Sequence, residues 1–178
     1  MRKTVRKLFW LWDFDKEEQW LNAMAAKGLA LTSVGFCRYE FEDCLPGEYK
    51  VCMEFMENAP QGVESSSYIK FLEETGAEHV GTFYRWAYFR KKEAEEFKLF
   101  SDCASRAKYL TRIIRFAALL CGLNVYLGCF NLFLLFSMKS ALNALGILNL
   151  LIAALAGVGI WRLMQKRKGL QKEAQIIE

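Results

Sequence analysis

The sequence predicts an α+β domain of ferredoxin-like β-α-β-β-α-β order, followed by a hairpin of two transmembrane helices. Three observations predict it. The first 92 residues alternate strand-like and helix-like patterns, two long uncharged runs occupy the last third, and the two helix-like segments of the first part echo each other 48 residues apart.

The first strand falls on Val5–Trp12, an aromatic and apolar stretch. Asp15-Lys-Glu-Glu18 opens the first helix with acids at its positive end, and its apolar face is Trp20, Leu21 and Met24. Lys27 and Gly28 close it. Leu29–Glu42 alternates as a second strand. The Pro46-Gly47 pair makes a turn, and Tyr49, Val51, Met53 and Phe55 alternate with polar residues as a third strand. Ser65–Thr75 reads as a second helix with Gly76 behind it, and Val80–Arg90 as the fourth strand. Trp20, Leu21, Met24 and Gly28 recur as Tyr68, Ile69, Leu72 and Gly76.

Four segments follow: a cytosolic α+β domain over 1–92, a connecting helix over 93–115, a hairpin over 116–161, and a basic cytosolic tail over 162–178. Within the hairpin, 116–138 and 140–161 hold no formal charge, and each exceeds the roughly 20 residues a helix needs to cross a bilayer. Arg106, Lys108, Arg112 and Arg115 precede the first span, and Arg162, Lys166, Arg167, Lys168 and Lys172 follow the second, while Lys139 stands alone in the turn. The positive-inside rule therefore expects a two-span protein of the cell membrane with both termini cytoplasmic. Ala118/Gly122 and Ala153/Gly157 suit close helix packing, and Asn124, Asn131, Asn143 and Asn149 suit hydrogen bonds between helices.

Charge divides the chain in the same way. Residues 1–100 carry 14 Lys and Arg against 17 Asp and Glu, a net −3; residues 101–178 carry 10 against 3, a net +7. An acidic domain argues against a direct electrostatic grip on nucleic acid. The six cysteines contain no Cys-x-x-Cys pair and read as reduced, ordinary residues; His79 is the one histidine, so no zinc site and no cofactor is expected. The sequence has no Walker loop, no Gly-x-Gly-x-x-Gly and no Gly-x-Ser-x-Gly, and the adjacent acids Glu17/Glu18 and Glu73/Glu74 read as solvated helix faces, so no enzyme is expected.

The unusual feature is aromatic. Trp10 and Trp12 share one face of the first strand, and Tyr84, Trp86 and Tyr88 one face of the fourth; Phe83, Ala87 and Phe89 take the other face. In a ferredoxin-like sheet these strands are neighbours, so Trp10, Trp12, Tyr84, Trp86 and Tyr88 form the candidate binding face, the alternative being a face covered by residues 93–112 or by a second copy. The expected role is a membrane-anchored binding or regulatory module, sensor-like, for a ligand or protein. An accessory subunit of a membrane transporter is the alternative, and a homodimer is open.

The stretches Asp13-Phe-Asp-Lys-Glu-Glu-Gln-Trp-Leu-Asn-Ala-Met-Ala-Ala-Lys-Gly28, Tyr39-Glu-Phe-Glu42 with Pro46-Gly-Glu-Tyr49, and Tyr68-Ile-Lys-Phe-Leu-Glu-Glu-Thr-Gly76 through Arg85-Trp-Ala-Tyr-Phe-Arg-Lys-Lys92 resemble an uncharacterised bacterial family, domain of unknown function 2812. Phe97-Lys-Leu-Phe-Ser-Asp102 also fits. The resemblance covers about residues 5–115. It implies a hydrophobic C-terminal hairpin and frequent encoding beside PadR-type regulators, so a PadR-type regulator or a membrane protein is the implied partner. It brings no activity and no catalytic residue.

Overall fold

The structure is a computed structural model that describes residues 2–58, 62–92, 103–138 and 145–177. The chain divides into two compact units, Met1–Ser101 and Asp102–Glu178.

In the first unit β1 (Arg2–Arg6) leads through a 3-10 turn, Leu11–Asp13, into α1 (Phe14–Ala25). β2 (Leu29–Gly35), β3 (Arg38–Asp43), β4 (Tyr49–Phe55), α2 (Val63–Glu74), β5 (Ala77–Phe83) and β6 (Trp86–Lys92) follow. The strands form two three-stranded antiparallel sheets, ordered β1-β3-β2 and β4-β6-β5. The expected ferredoxin-like count of four strands in one sheet is thus replaced, among the described residues, by six strands in two.

The cause is local. Leu29–Glu42 and Val80–Arg90, each expected as one strand, are hairpins that turn at Phe36-Cys37 and Tyr84-Arg85. Neither turn contains Gly, Pro, Asn or Asp. Cys37 and Tyr84 instead adopt the left-handed region, with φ of 53° and 59°, a conformation that side chains with a Cβ enter only at a cost.

The echo along the sequence is an internal duplication of a β-α-β-β unit. β1-α1-β2-β3 and β4-α2-β5-β6 share element order and strand order. Both hairpins slip register at corresponding places, between Leu31 and Ser33 and between His79 and Gly81, 48 residues apart. Both helices end on a glycine of positive φ, Gly28 at 80° and Gly76 at 86°. A Cβ at Gly28 would lie 2.9 Å from the Cys44 carbonyl oxygen, so the site excludes other residues on space as well as on conformation.

The copies are not packed alike. α2 covers one face of the second sheet, where Met56, Leu72, Ala77, Ala87 and Phe89 form a core flanked by Tyr68 and Ile69. α1 covers Tyr39 and Phe41 of its own sheet through Trp20, and also runs along β4. Asn22 accepts from the Val51 N–H (2.9 Å) and donates to the Val51 carbonyl (2.8 Å), and Glu18 accepts from the Met53 N–H (2.8 Å). Helix side chains thereby stand where a neighbouring strand would pair with the β4 edge. Glu18, expected on a solvated face, is one of these caps. Arg90 links the two sheets: its guanidinium donates to Glu78, to Glu42 and to the Leu31 carbonyl, and lies over the Tyr49 ring.

The second unit is two long helices, α3 (Cys103–Met138) and α4 (Leu145–Ile177). Both are long and apolar enough to cross a membrane, over Ser105–Ser137 and Leu145–Glu173. Large apolar side chains such as Leu119, Tyr126, Phe133, Leu151 and Trp161 are exposed, unlike those of a soluble core helix. Residues 103–115 of the expected connecting helix are part of α3, as are Ser137 and Met138 of the expected turn; 93–102, 139–140 and Asn143 lie outside the described residues.

The helices approach closely at Gly128 and Gly146. A Cβ on Gly146 would lie 2.8 Å from the Gly128 carbonyl oxygen. Of the expected small pairs, Ala153 is buried and its carbonyl accepts from the Cys121 thiol, while Gly122 and Gly157 face open space. Asn124 and Asn131 do not bridge the helices as expected. They donate to Leu120 and Leu127, one turn back on their own helix.

Candidate functional site

The five aromatics of the expected face fall into two settings. Trp86 and Tyr88 are interior. Trp86 packs on Phe14 and Phe55, with ring centroids 5.4 and 5.1 Å away. Tyr88 donates from its hydroxyl to Glu17 at 2.7 Å. Phe89 and Ala87 do face α2, as the alternation requires. The opposite face is covered as well, because α1 of the first copy lies against it. Tyr84 belongs to the β5–β6 turn and is 68% exposed. Trp10 lies beyond the end of β1, 47% exposed and stacked flat on Trp12 at 5.3 Å.

Glu17 is the polar centre of the interior, and here the expectation of a solvated carboxylate fails. Its Oε1 accepts from the hydroxyls of Tyr39 and Tyr88, both at 2.7 Å. Burial raises its pKa above the ordinary 4.5, while the hydrogen bonds from Tyr88 and Tyr39 pull it back down. Burial and the hydrogen bond to Glu17 push the Tyr39 hydroxyl far up in turn. The cluster joins α1, β3 and β6. Glu17 occupies the buried side of α1, with Leu21 one turn on and Phe14 three residues earlier.

Apart from Phe71 of α2, the exposed aromatics of the unit gather at one end. Phe36, at the β2–β3 turn, is 77% exposed, and its ring centroid lies 6.0 Å from that of Phe83 beside the β5–β6 turn. The Lys7 N–H donates to the Cys37 carbonyl, so the segment after β1 starts at the same end. Leu8 and Trp10 on that segment are exposed, whereas Phe9 packs inward on Trp20 and Tyr39. Cations border these groups. Lys7 lies over the Phe9 and Trp20 rings, Arg38 pairs with Glu40, and Arg85 donates to the carbonyls of Met56 and Glu57. Exposed apolar groups clustered at one end mark an interaction surface more often than chance exposure. Phe36 and Leu8 were missed in the sequence because a lone Phe in a strand pattern carries no sign of a turn.

No three His, Cys, Asp or Glu side chains stand close enough together to hold a metal ion among the described residues. Cys37, Cys44, Cys52, Cys121 and Cys129 form no disulfide among the described residues.

The sequence matches the family model described as Protein of unknown function (DUF2812) over residues 13–122, from the start of α1 into α3. No curated protein and no solved structure matches the chain.

Proposed function

The chain belongs to the family described as Protein of unknown function (DUF2812), and from that footing we propose that it is a membrane-anchored binding module. Its folded unit captures a protein partner at the end that carries Leu8, Trp10, Phe36 and Tyr84. The observation that supports this reading most is the exposure of these side chains together at two hairpin turns and the adjoining segment. Rigid aromatics on short turns supply large contact area at little conformational cost, as binding anchors do. Trp86 and Tyr88 serve the fold, and Trp10 and Tyr84 remain from the original set as contacts. A membrane tether raises local concentration without adding contacts. The resemblance noted above nominates a PadR-type regulator or a membrane protein as the partner.

The test is capture from detergent-solubilised membranes followed by mass spectrometry. A Trp10→Ser/Tyr84→Ser variant should lose the stoichiometric partner of the native chain by tenfold or more and keep its thermal unfolding midpoint. Undiminished capture by that variant would reject the end surface. A polytopic transporter as the stoichiometric partner would favour the accessory-subunit reading.

Both termini are assigned to the cytoplasm on the cation distribution, with Arg112 and Arg115 before the first span and Arg162, Lys166 and Arg167 after the second. A reporter active only outside the cytoplasm should work when inserted between Ser137 and Ser140 and fail when fused after Glu178. The opposite pattern would reverse the orientation. Neutralising Arg112 and Arg115 should mix the two orientations.

A further inference from the structure

The duplication makes the outer edges of the two sheets comparable residue by residue. Thr4 pairs with Glu40 and Met53 with Tyr88; Arg2 pairs with Glu42 and Val51 with Arg90. Each pairing differs from its counterpart by 48 residues on the central strand, so Arg2 and Thr4 correspond to Val51 and Met53.

At the second copy the outward backbone groups of this edge are satisfied by Asn22 and Glu18 of α1. The positions on α2 that correspond to Asn22 and Glu18 are Lys70 and Ser66. Lys70 is exposed, and the Ser66 hydroxyl donates to the Gly62 carbonyl within its own helix. Neither reaches β1.

The direction of the free groups follows from antiparallel pairing. Lys7 donates to Cys37, so that pair is hydrogen-bonded, and by alternation so are Val5–Tyr39 and Lys3–Phe41. Arg2, Thr4 and Arg6 therefore aim their N–H and C=O groups away from β3. The Glu40 carbonyl, which accepts from Thr32 on β2, agrees with this phase. β1 is exposed along most of its length.

The side chains identify the occupant. Arg2, Lys3, Arg6 and Lys7 crowd six consecutive residues that hold no acid, and none of the four makes an ion pair among the described residues. On β3 opposite, Glu42 is engaged by Arg90 and Glu40 by Arg38. A second copy pairing β1 with β1 would oppose cations to cations, which destabilises a strand pair. We propose that the free edge of β1 receives an extended acidic segment of a partner protein by strand addition, with main-chain bonds to Arg2, Thr4 and Arg6 and carboxylates beside the four cations. The inference rests on the binding-module reading and gives its partner a chemical class: the acidic strand runs along β1 toward the Lys7–Trp10 segment and the exposed aromatics.

The full chain in uncharged-lipid nanodiscs is titrated against a fluorescent eight-residue peptide of alternating Glu and Val, read by anisotropy. A second peptide carries N-methyl groups on every amide, which keeps its charge and removes the hydrogen-bond donors of both edges. Saturable binding of the first peptide, weakened tenfold or more by methylation, is expected. Thr4→Pro removes an outward N–H that β3 does not use, and edge strands accept proline at such a position. It should weaken binding equally with the unfolding midpoint unchanged, and Arg2→Gln/Arg6→Gln should weaken it and flatten its salt dependence. Equal binding of both peptides, indifference to Thr4→Pro, or no saturable binding would overturn strand addition. A doubled particle mass that Thr4→Pro abolishes would overturn it in favour of a second copy. If Thr4→Pro leaves native partner capture intact while Trp10→Ser/Tyr84→Ser abolishes it, the edge proposal falls and the end-surface reading stands.

Discussion

Trp86→Ala should unfold the first unit or bring it close to unfolding. The indole is 8% exposed and wedged between Phe14 of α1 and Phe55 of β4, so truncation removes a large apolar surface and leaves a cavity that three elements cannot all close. Such substitutions typically cost about 3–5 kcal/mol, a large share of the stability of a domain of this size. Circular dichroism melts of the full chain in detergent would check it, with loss of the strand signal while the helices of the second unit persist. Trp10→Ala, at 47% exposure, should leave the melt nearly unchanged. Equal stability of the two variants would refute the interior placement of Trp86.

Glu17→Leu should destabilise the unit by about 3 kcal/mol or more, because it strands two interior hydroxyl donors, each costing about 1–3 kcal/mol unmade. The hydroxyls of Tyr39 and Tyr88 both bond to Glu17 Oε1. Adding Tyr39→Phe and Tyr88→Phe to Glu17→Leu should recover most of the loss, since the polar partners are then removed together. The carboxyl also has a signature in pH. Its pKa is raised on folding, chiefly by burial, so the protonated acid is favoured in the folded state. The stabilisation is complete below the ordinary value of 4.5 and is lost as pH rises from there through the raised folded value. Tyr88→Phe removes a bond that lowers the folded value, so its decline should extend to higher pH. Glu17→Gln should show no such decline. Melting midpoints across that range would check all three.

The reasons some elements were legible in the sequence are specific. Two uncharged runs of bilayer length left only helices as a solution. Gly28 and Gly76 marked both helix ends because only glycine takes the required backbone there without strain. The 48-residue echo was visible at Trp20/Tyr68 and Leu21/Ile69, but its unit was misjudged. Neither Phe36-Cys37 nor Tyr84-Arg85 includes a Gly, Pro, Asn or Asp to mark a turn, so two hairpins looked like two strands. That error put Tyr84 on a strand with Trp86 and Tyr88 instead of at a turn. The covering of the second sheet on both faces was not legible either, since alternation reports which residues share a face and not whether a helix from another copy lies on it. Glu17 was hidden for the same reason: its donors are 22 and 71 residues away.

Docking of a partner at the end that carries Trp10, Phe36 and Tyr84 can be read by cross-linking. Placing a photo-reactive amino acid at Tyr84 in living cells, and another at the exposed Lys70 of α2 for comparison, tests it most directly. A discrete cross-linked protein is expected from position 84, absent from position 70 and lost with Trp10→Ser. Cross-links of equal yield from both positions, or none from position 84 while the chain is folded and inserted, would contradict it.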